Sequence, residues 1–207
     1  MKISENYSTL VIIGSWNKNI FTEDWIRNNL LDDKEFTLQY LAYQNYQLQF
    51  IRPKITFQGV EIIILEERIL FNLLKTADEN FNLIQNLSLK LADKLPDTPV
   101  SSYGVNFKIE GKGTEKYLLN LIQPGDLEQL KTSNITVNSE QYVRQLILDE
   151  KILNFTTIIE NNQINFDFNF DFEIRDLAEF KEKISQNSIL QLKKEAVNFV
   201  SKFYLIQ

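Results

Sequence analysis

The chain has 207 residues and contains neither histidine nor cysteine, which removes Ser-His-Asp and Cys-His catalysis, thiolate nucleophiles, thiolate zinc sites and disulfide staples together. Its net charge of −6 and pI near 4.9 leave no basic footprint of the kind that neutralises phosphates, so no nucleic-acid partner is expected. With 43% apolar and 12% aromatic residues it has ample material for a buried core, while apolar runs such as Ile62 to Leu65 fall far short of the ~20 residues a membrane helix requires.

Met1 to Tyr7 is polar and acidic, and the brief apolar stretch that follows has no small-residue cleavage site, so a cytoplasmic setting is expected rather than secretion. Thr9 to Trp16 reads as a strand. Phe21 to Leu31 reads as a short helix with Thr22 at its N-cap and Glu23 and Asp24 in its first turn. Phe36 to Phe57 is rich in Tyr, Phe, Leu and Gln in alternation, Gln58-Gly59 supplies a turn, and Val60 to Leu65 and Ile69 to Asn72 are further strands. Thr76-Ala77-Asp78-Glu79 has the spacing of a capping box, and Phe81, Ile84, Leu87, Leu91 and Leu95 place one apolar stripe on a long helix behind it.

Pro96 and Pro99 end that helix and make Leu95 to Pro99 the best internal boundary. Val100 to Ile109 is a strand running into Gly111-Lys112-Gly113, and Thr114 caps a second short helix that reaches Ile122. Extended segments follow at Gln141 to Leu148, Ile152 to Glu160 and Gln163 to Ile174. In the last, Ile164, Phe166, Phe168, Phe170, Phe172 and Ile174 alternate with Asn165, Asp167, Asn169, Asp171 and Glu173, the pattern of an antiparallel strand with one dry and one wet face. Asp176 with Glu179 opens a helical region to about Tyr204, which Ser188 and Gln191 restart after Gln186-Asn187. Its stripe of Ile189, Leu192, Ala196, Phe199, Val200 and Phe203 is fit to pack on the phenylalanine face.

The expected fold is therefore α+β: a mainly antiparallel sheet covered on one side by two long and two short helices, in a single domain spanning 1–207 or in two similar halves, 1–96 and 97–207. The halves share a sequence echo. Thr22 to Asn28 and Thr114 to Asn120 both read Thr-Glu-x-aromatic-aliphatic-x-Asn, which suggests a duplicated β-α-β-β-β-α unit, although helix starts favour Thr and Glu in any case.

Little catalytic chemistry remains. Glu110-Gly111-Lys112-Gly113-Thr114 lacks the spacing of any phosphate-cradling loop, and no cofactor is implied. Three carboxylate groups are available to a divalent metal or to acid/base work: Asp32-Asp33, Asp149-Glu150, and Asp167, Asp171 and Glu173 on one strand. The last set resembles a calcium loop in its Asp-x-Asn-x-Asp order but carries Phe between the ligands and no glycine, so a solvated sheet face explains it as well. Tyr40, Tyr43 and Tyr46, spaced three apart, do not fit one strand face and are candidates for contact with a partner.

Composition thus points away from catalysis and toward an interaction module, a subunit or adaptor of a bacterial-type multiprotein assembly, with a protein partner or a second copy of itself. A divalent-metal carboxylate enzyme and an acidic inhibitor or immunity protein facing a basic partner are the alternatives.

Overall fold

A computed structural model describes residues 2–5, 7–45, 48–111, 132–133, 136–148, 151–160 and 163–204. Its strands are β1 (Lys2–Ile3), β2 (Tyr7–Gly14), β3 (Thr37–Asn45), β4 (Leu48–Phe57), β5 (Val60–Ile64), β6 (Arg68–Leu73), β7 (Val100–Glu110), β8 (Ser139–Leu148), β9 (Lys151–Glu160) and β10 (Gln163–Glu173). Its α-helices are α1 (Glu23–Asn29), α2 (Asp78–Lys94), α3 (Leu177–Gln186) and α4 (Ile189–Tyr204), with a 3-10 turn at Lys18–Ile20.

Among the described residues all the strands join one antiparallel sheet in the order β3-β4-β5-β6-β2-β7-β10-β9-β8, with β1 continuing along the β2 side of β7. The helices pack against this sheet, so the protein has an α+β fold. β2 and β7 form the centre, Ile12 opposite Tyr103. Each begins a half whose meander returns its last strand, β6 or β10, to pair beside the first. The N-terminal half runs β2-α1-β3-β4-β5-β6-α2, one strand more than a β-α-β-β-β-α unit. In the C-terminal half, the segment from Thr114 to Ile122 lies outside the described residues, so the second short helix and its echo of α1 do too.

Local chemistry sets these elements. Thr22 Oγ1 accepts from the Trp25 N–H at 3.2 Å and starts α1. Gln58 and Gly59 have φ of 46° and 80°, the double left-handed turn that matches the twist of a two-residue hairpin between β4 and β5. The buried Asn80 of α2 donates to the Gln58 carbonyl at 2.7 Å and ties that turn to the helix. One expectation fails here: Thr76 does not cap α2. The N-cap is Ala77, with no side-chain bond, and only the charges of Asp78 and Glu79 favour the helix start. Asp176 does cap α3, accepting from the Glu179 N–H at 2.8 Å, while Glu179 reaches back to the Arg175 N–H at 2.9 Å. The chain breaks at Asn187 and restarts as α4, with Ser188 Oγ accepting from Gln191 N–H and Gln85 of α2 accepting from Ile189 N–H.

The core lies between sheet and helices. Phe81 of α2 meets Phe107, Tyr103 stacks on Phe172 and is met edge-on by Phe180 of α3, and Phe199 of α4 packs on Phe155 and Phe168. The apolar stripe of α4 lies on the phenylalanine face except at Phe203, which is 54% exposed; the next residue, Tyr204, is buried there instead, against Phe155 and Phe166. No helix of the described residues is long and apolar enough to cross a membrane.

Candidate interaction surface

Strand alternation that sends Phe166, Phe168 and Phe170 into the core sends Asn165, Asp167, Asn169 and Asp171 to the opposite side of the sheet. On that side a row of side-chain amides crosses four strands in register. Asn169 Nδ2 donates to Asn106 Oδ1 at 2.5 Å, Asn154 Nδ2 to Asn169 Oδ1 at 2.9 Å, and Gln145 Nε2 to Asn154 Oδ1 at 3.1 Å. Gly104 makes room for it, because a Cβ there would stand 2.9 Å from Asn169 Nδ2. In the N-terminal half the same side carries charge instead: Glu61 pairs with Lys54 at 2.5 Å and accepts from Asn72 Nδ2 at 2.9 Å.

Asp167 lies two residues along β10 from Asn169, opposite Lys108 and Thr156 in register. Its Oδ1 is buried with no hydrogen-bond partner among the described residues, and burial raises its carboxyl above the ordinary range, countered in part by Lys108. The Tyr7 phenol is raised in turn by burial and by the Asp167 charge. Burial also raises Asp171, against a hydrogen bond from the Phe172 N–H and with Glu173 adding to the rise.

The candidate ligands Asp167, Asp171 and Glu173 share one face of β10, where successive same-face positions are ~7 Å apart, so Asp167 stands roughly 13 Å along the strand from Asp171. One ion does not bridge that gap, and among the described residues no group of three or more acidic side chains converges on a common point. Asp171 and Glu173 instead line an open cleft of about 500 Å³ with Ser101, Ser102, Arg175, Glu179 and Lys183. Its charges hold each other: Glu179 takes Arg175 Nε at 2.9 Å and Lys183 Nζ at 3.1 Å, which pulls its carboxyl down to about 2, and Lys183 also donates to the Glu173 carbonyl at 2.8 Å.

The other acidic pairs have separate placements. Asp32 and Asp33 adopt φ of 50° and 60° in the turn behind α1, a conformation that Asp tolerates better than most residues. Asp32 pairs with Lys90 of α2, which lowers its carboxyl, and Asp33 lies 3.6 Å from Arg27. Asp149-Glu150 lies outside the described residues. Of the tyrosines, Tyr40 is exposed on β3 at one end of the sheet, Tyr43 occupies a position of opposite parity facing Phe50 in register, and Tyr46 lies outside the described residues.

The most exposed apolar side chains lie elsewhere. Val143 is 67% and Ile147 82% exposed, both on β8 and both on the side of the sheet opposite α2, α3 and α4. β8 is the terminal strand at the other end of the sheet, paired only with β9 among the described residues, through ten register positions without a bulge. Nothing in its sequence singles it out beforehand, because Tyr142, Leu146 and Leu148 alternate with Val143 and Ile147 and both faces read as apolar.

Compared with known proteins, the chain matches no family, no curated protein and no solved structure.

Proposed function

We propose that the protein is a non-catalytic interaction module, a subunit or adaptor of a multiprotein assembly, whose contact surface is the β8 edge and the face beside it opposite α2, α3 and α4. The observation that carries this is the pair Val143 and Ile147, large exposed apolar side chains on a strand that pairs only with β9 among the described residues. Natural sheets protect such edges with charged side chains, Pro, a bulge or a covering segment, and a long flat edge is a template for pairing with another chain. β8 has no Pro and no bulge, and its two charged residues, Glu140 and Arg144, alternate with Val143 and Ile147 onto the other side of the strand.

The groups fit for chemistry are mostly engaged in holding the fold, as Glu179, Lys183 and Arg175 are in the cleft and Glu61 and Lys54 on the sheet. Affinity capture from host extract with the wild-type protein and with Ile147→Lys tests the proposal. The wild type retains specific proteins that the folded variant loses. Identical profiles for the two, or no specific protein with either, would overturn the reading.

A further inference from the structure

We infer that β8 pairs with β8 of a second copy of this chain, antiparallel about a two-fold axis at Tyr142, joining two sheets edge to edge. This rests on the interaction reading above and names the occupant of that edge. An extended terminal strand presents unpaired N–H and C=O groups along its outer side, and a second copy of the same strand supplies their complements in an isologous contact that closes on itself.

Charge fixes the register. Between Thr136 and Leu148 the only charged residues are Glu140 and Arg144, two positions either side of Tyr142, so pairing centred there sets Glu140 of each copy opposite Arg144 of the other. Opposite charges directly across an antiparallel pair are favourable and like charges are not. Both side chains have capacity to spare. Glu140 accepts from its own Tyr142 hydroxyl at 2.7 Å through Oε2, and Arg144 spends Nη1 on the Tyr204 hydroxyl at 3.0 Å, one of five donors the guanidinium carries.

In this register Ser139 to Gln145 of the two copies pair as strands, with Val143 against Gln141, and just beyond the paired stretch Ile147 of one copy comes level with Val137 of the other, itself 38% exposed. The rival register that sets Val143 opposite Ile147 would put Arg144 opposite Leu146, with no opposite charge across from it. At the far end of the sheet, β3 contains no charged residue, so it offers no comparable register key.

Analytical ultracentrifugation over a concentration series, on the full chain, decides the matter. The wild type forms a dimer that dissociates on dilution. Glu140→Arg and Arg144→Glu each put like charges at both symmetric contacts and weaken dimerisation roughly tenfold or more, whereas an equimolar mixture of the two single variants forms a heterodimer, and the E140R/R144E double variant dimerises again. Recovery in the mixture excludes misfolding as the cause of the single-variant loss.

A wild type that stays monomeric at every concentration overturns the inference. So do single variants that dimerise like the wild type, or a mixture that fails to associate. A monomeric wild type whose Ile147→Lys variant still loses captured proteins would sink self-pairing alone and leave the interaction reading standing.

Discussion

The two halves of the sheet flank the β2–β7 pair with the same kind of element and fill it with different material. On the β2 side the strands turn Leu10, Ile12, Ile55, Ile62, Ile64 and Ile69 inward, with the rings of Phe57 and Phe71 among them, beneath the long helix α2. On the β7 side they turn in Phe107, Phe155, Phe166, Phe168 and Phe170, and two shorter helices, α3 and α4, cover them. The opposite face differs in parallel, with an ion pair over the aliphatic half and an amide row over the aromatic half. Branched aliphatic side chains interlock in almost any direction, whereas rings prefer edge-on or offset contacts at fixed separations, so the phenylalanine half depends more on the placement of individual residues.

Truncation of a single ring should expose that dependence most strongly. Phe168 touches Phe155, Phe170 and Phe199, and Phe168→Ala is expected to cost about 3–5 kcal/mol, against about 0.5–1.5 kcal/mol for Ile62→Val in the other half. Denaturant titration measures both. Because β2 and β7 pair directly from Leu10 to Ile13, with one register shift before Gly14, each variant should shift one common transition, and two separable transitions in Phe168→Ala would show that the halves unfold independently.

The contrast between the halves also marks what the residues declare in advance. The alternation in β10 is legible because phenylalanine and carboxylate or amide side chains differ so sharply in transfer free energy that only one register buries the rings. The C-terminal helices are legible for the same reason, through the stripe from Ile189 to Val200. β8 is not, because neither of its faces is decisively polar and its exposure depends on which strand lies beyond it, a property of topology. The acidic pair Asp32-Asp33 misleads in another way. Its composition suggests a ligand site, but its positive φ values and its partners Lys90 and Arg27 belong to the turn that docks α1 against α2. Thr76 fails as a cap because α2 starts two residues later, at Asp78, and sequence spacing alone does not fix where a helix begins.

On the open face the same comparison predicts a smaller difference. Asn169→Ala breaks two links of the amide row, those to Asn106 and to Asn154, both part-buried, a loss of about 1–3 kcal/mol. Lys54→Met takes the cation from a Glu61 carboxylate whose side chain is only 12% exposed, leaving Asn72 as a donor to a largely buried charge, and so costs about 3–5 kcal/mol. Thermal melts of the two variants should therefore rank Lys54→Met as the more damaging. An Asn169→Ala variant that melts with the wild type would mean the amide row is a solvated arrangement with no net stabilising effect.

Acid titration separates two carboxyls that the two sides of the sheet treat in opposite ways. Glu179, at the start of α3, is drawn down to about 2 from 4.5 by Arg175 and Lys183, so its contribution is complete above the unfolded value and is lost as pH falls through that interval. Asp167, on the face opposite α2, α3 and α4, is raised above its ordinary 3.8 by burial, so the folded state binds its proton more tightly than the unfolded state and stability declines as pH rises past the unfolded value. Asp167→Asn removes that penalty and keeps the shape. It should melt higher than the wild type at neutral pH and converge with it below the ordinary carboxylate range, while Glu179→Gln should melt lower at neutral pH and converge only as pH approaches 2. A neutral-pH loss of stability in Asp167→Asn would show that the attraction of Lys108 outweighs the desolvation of the carboxylate.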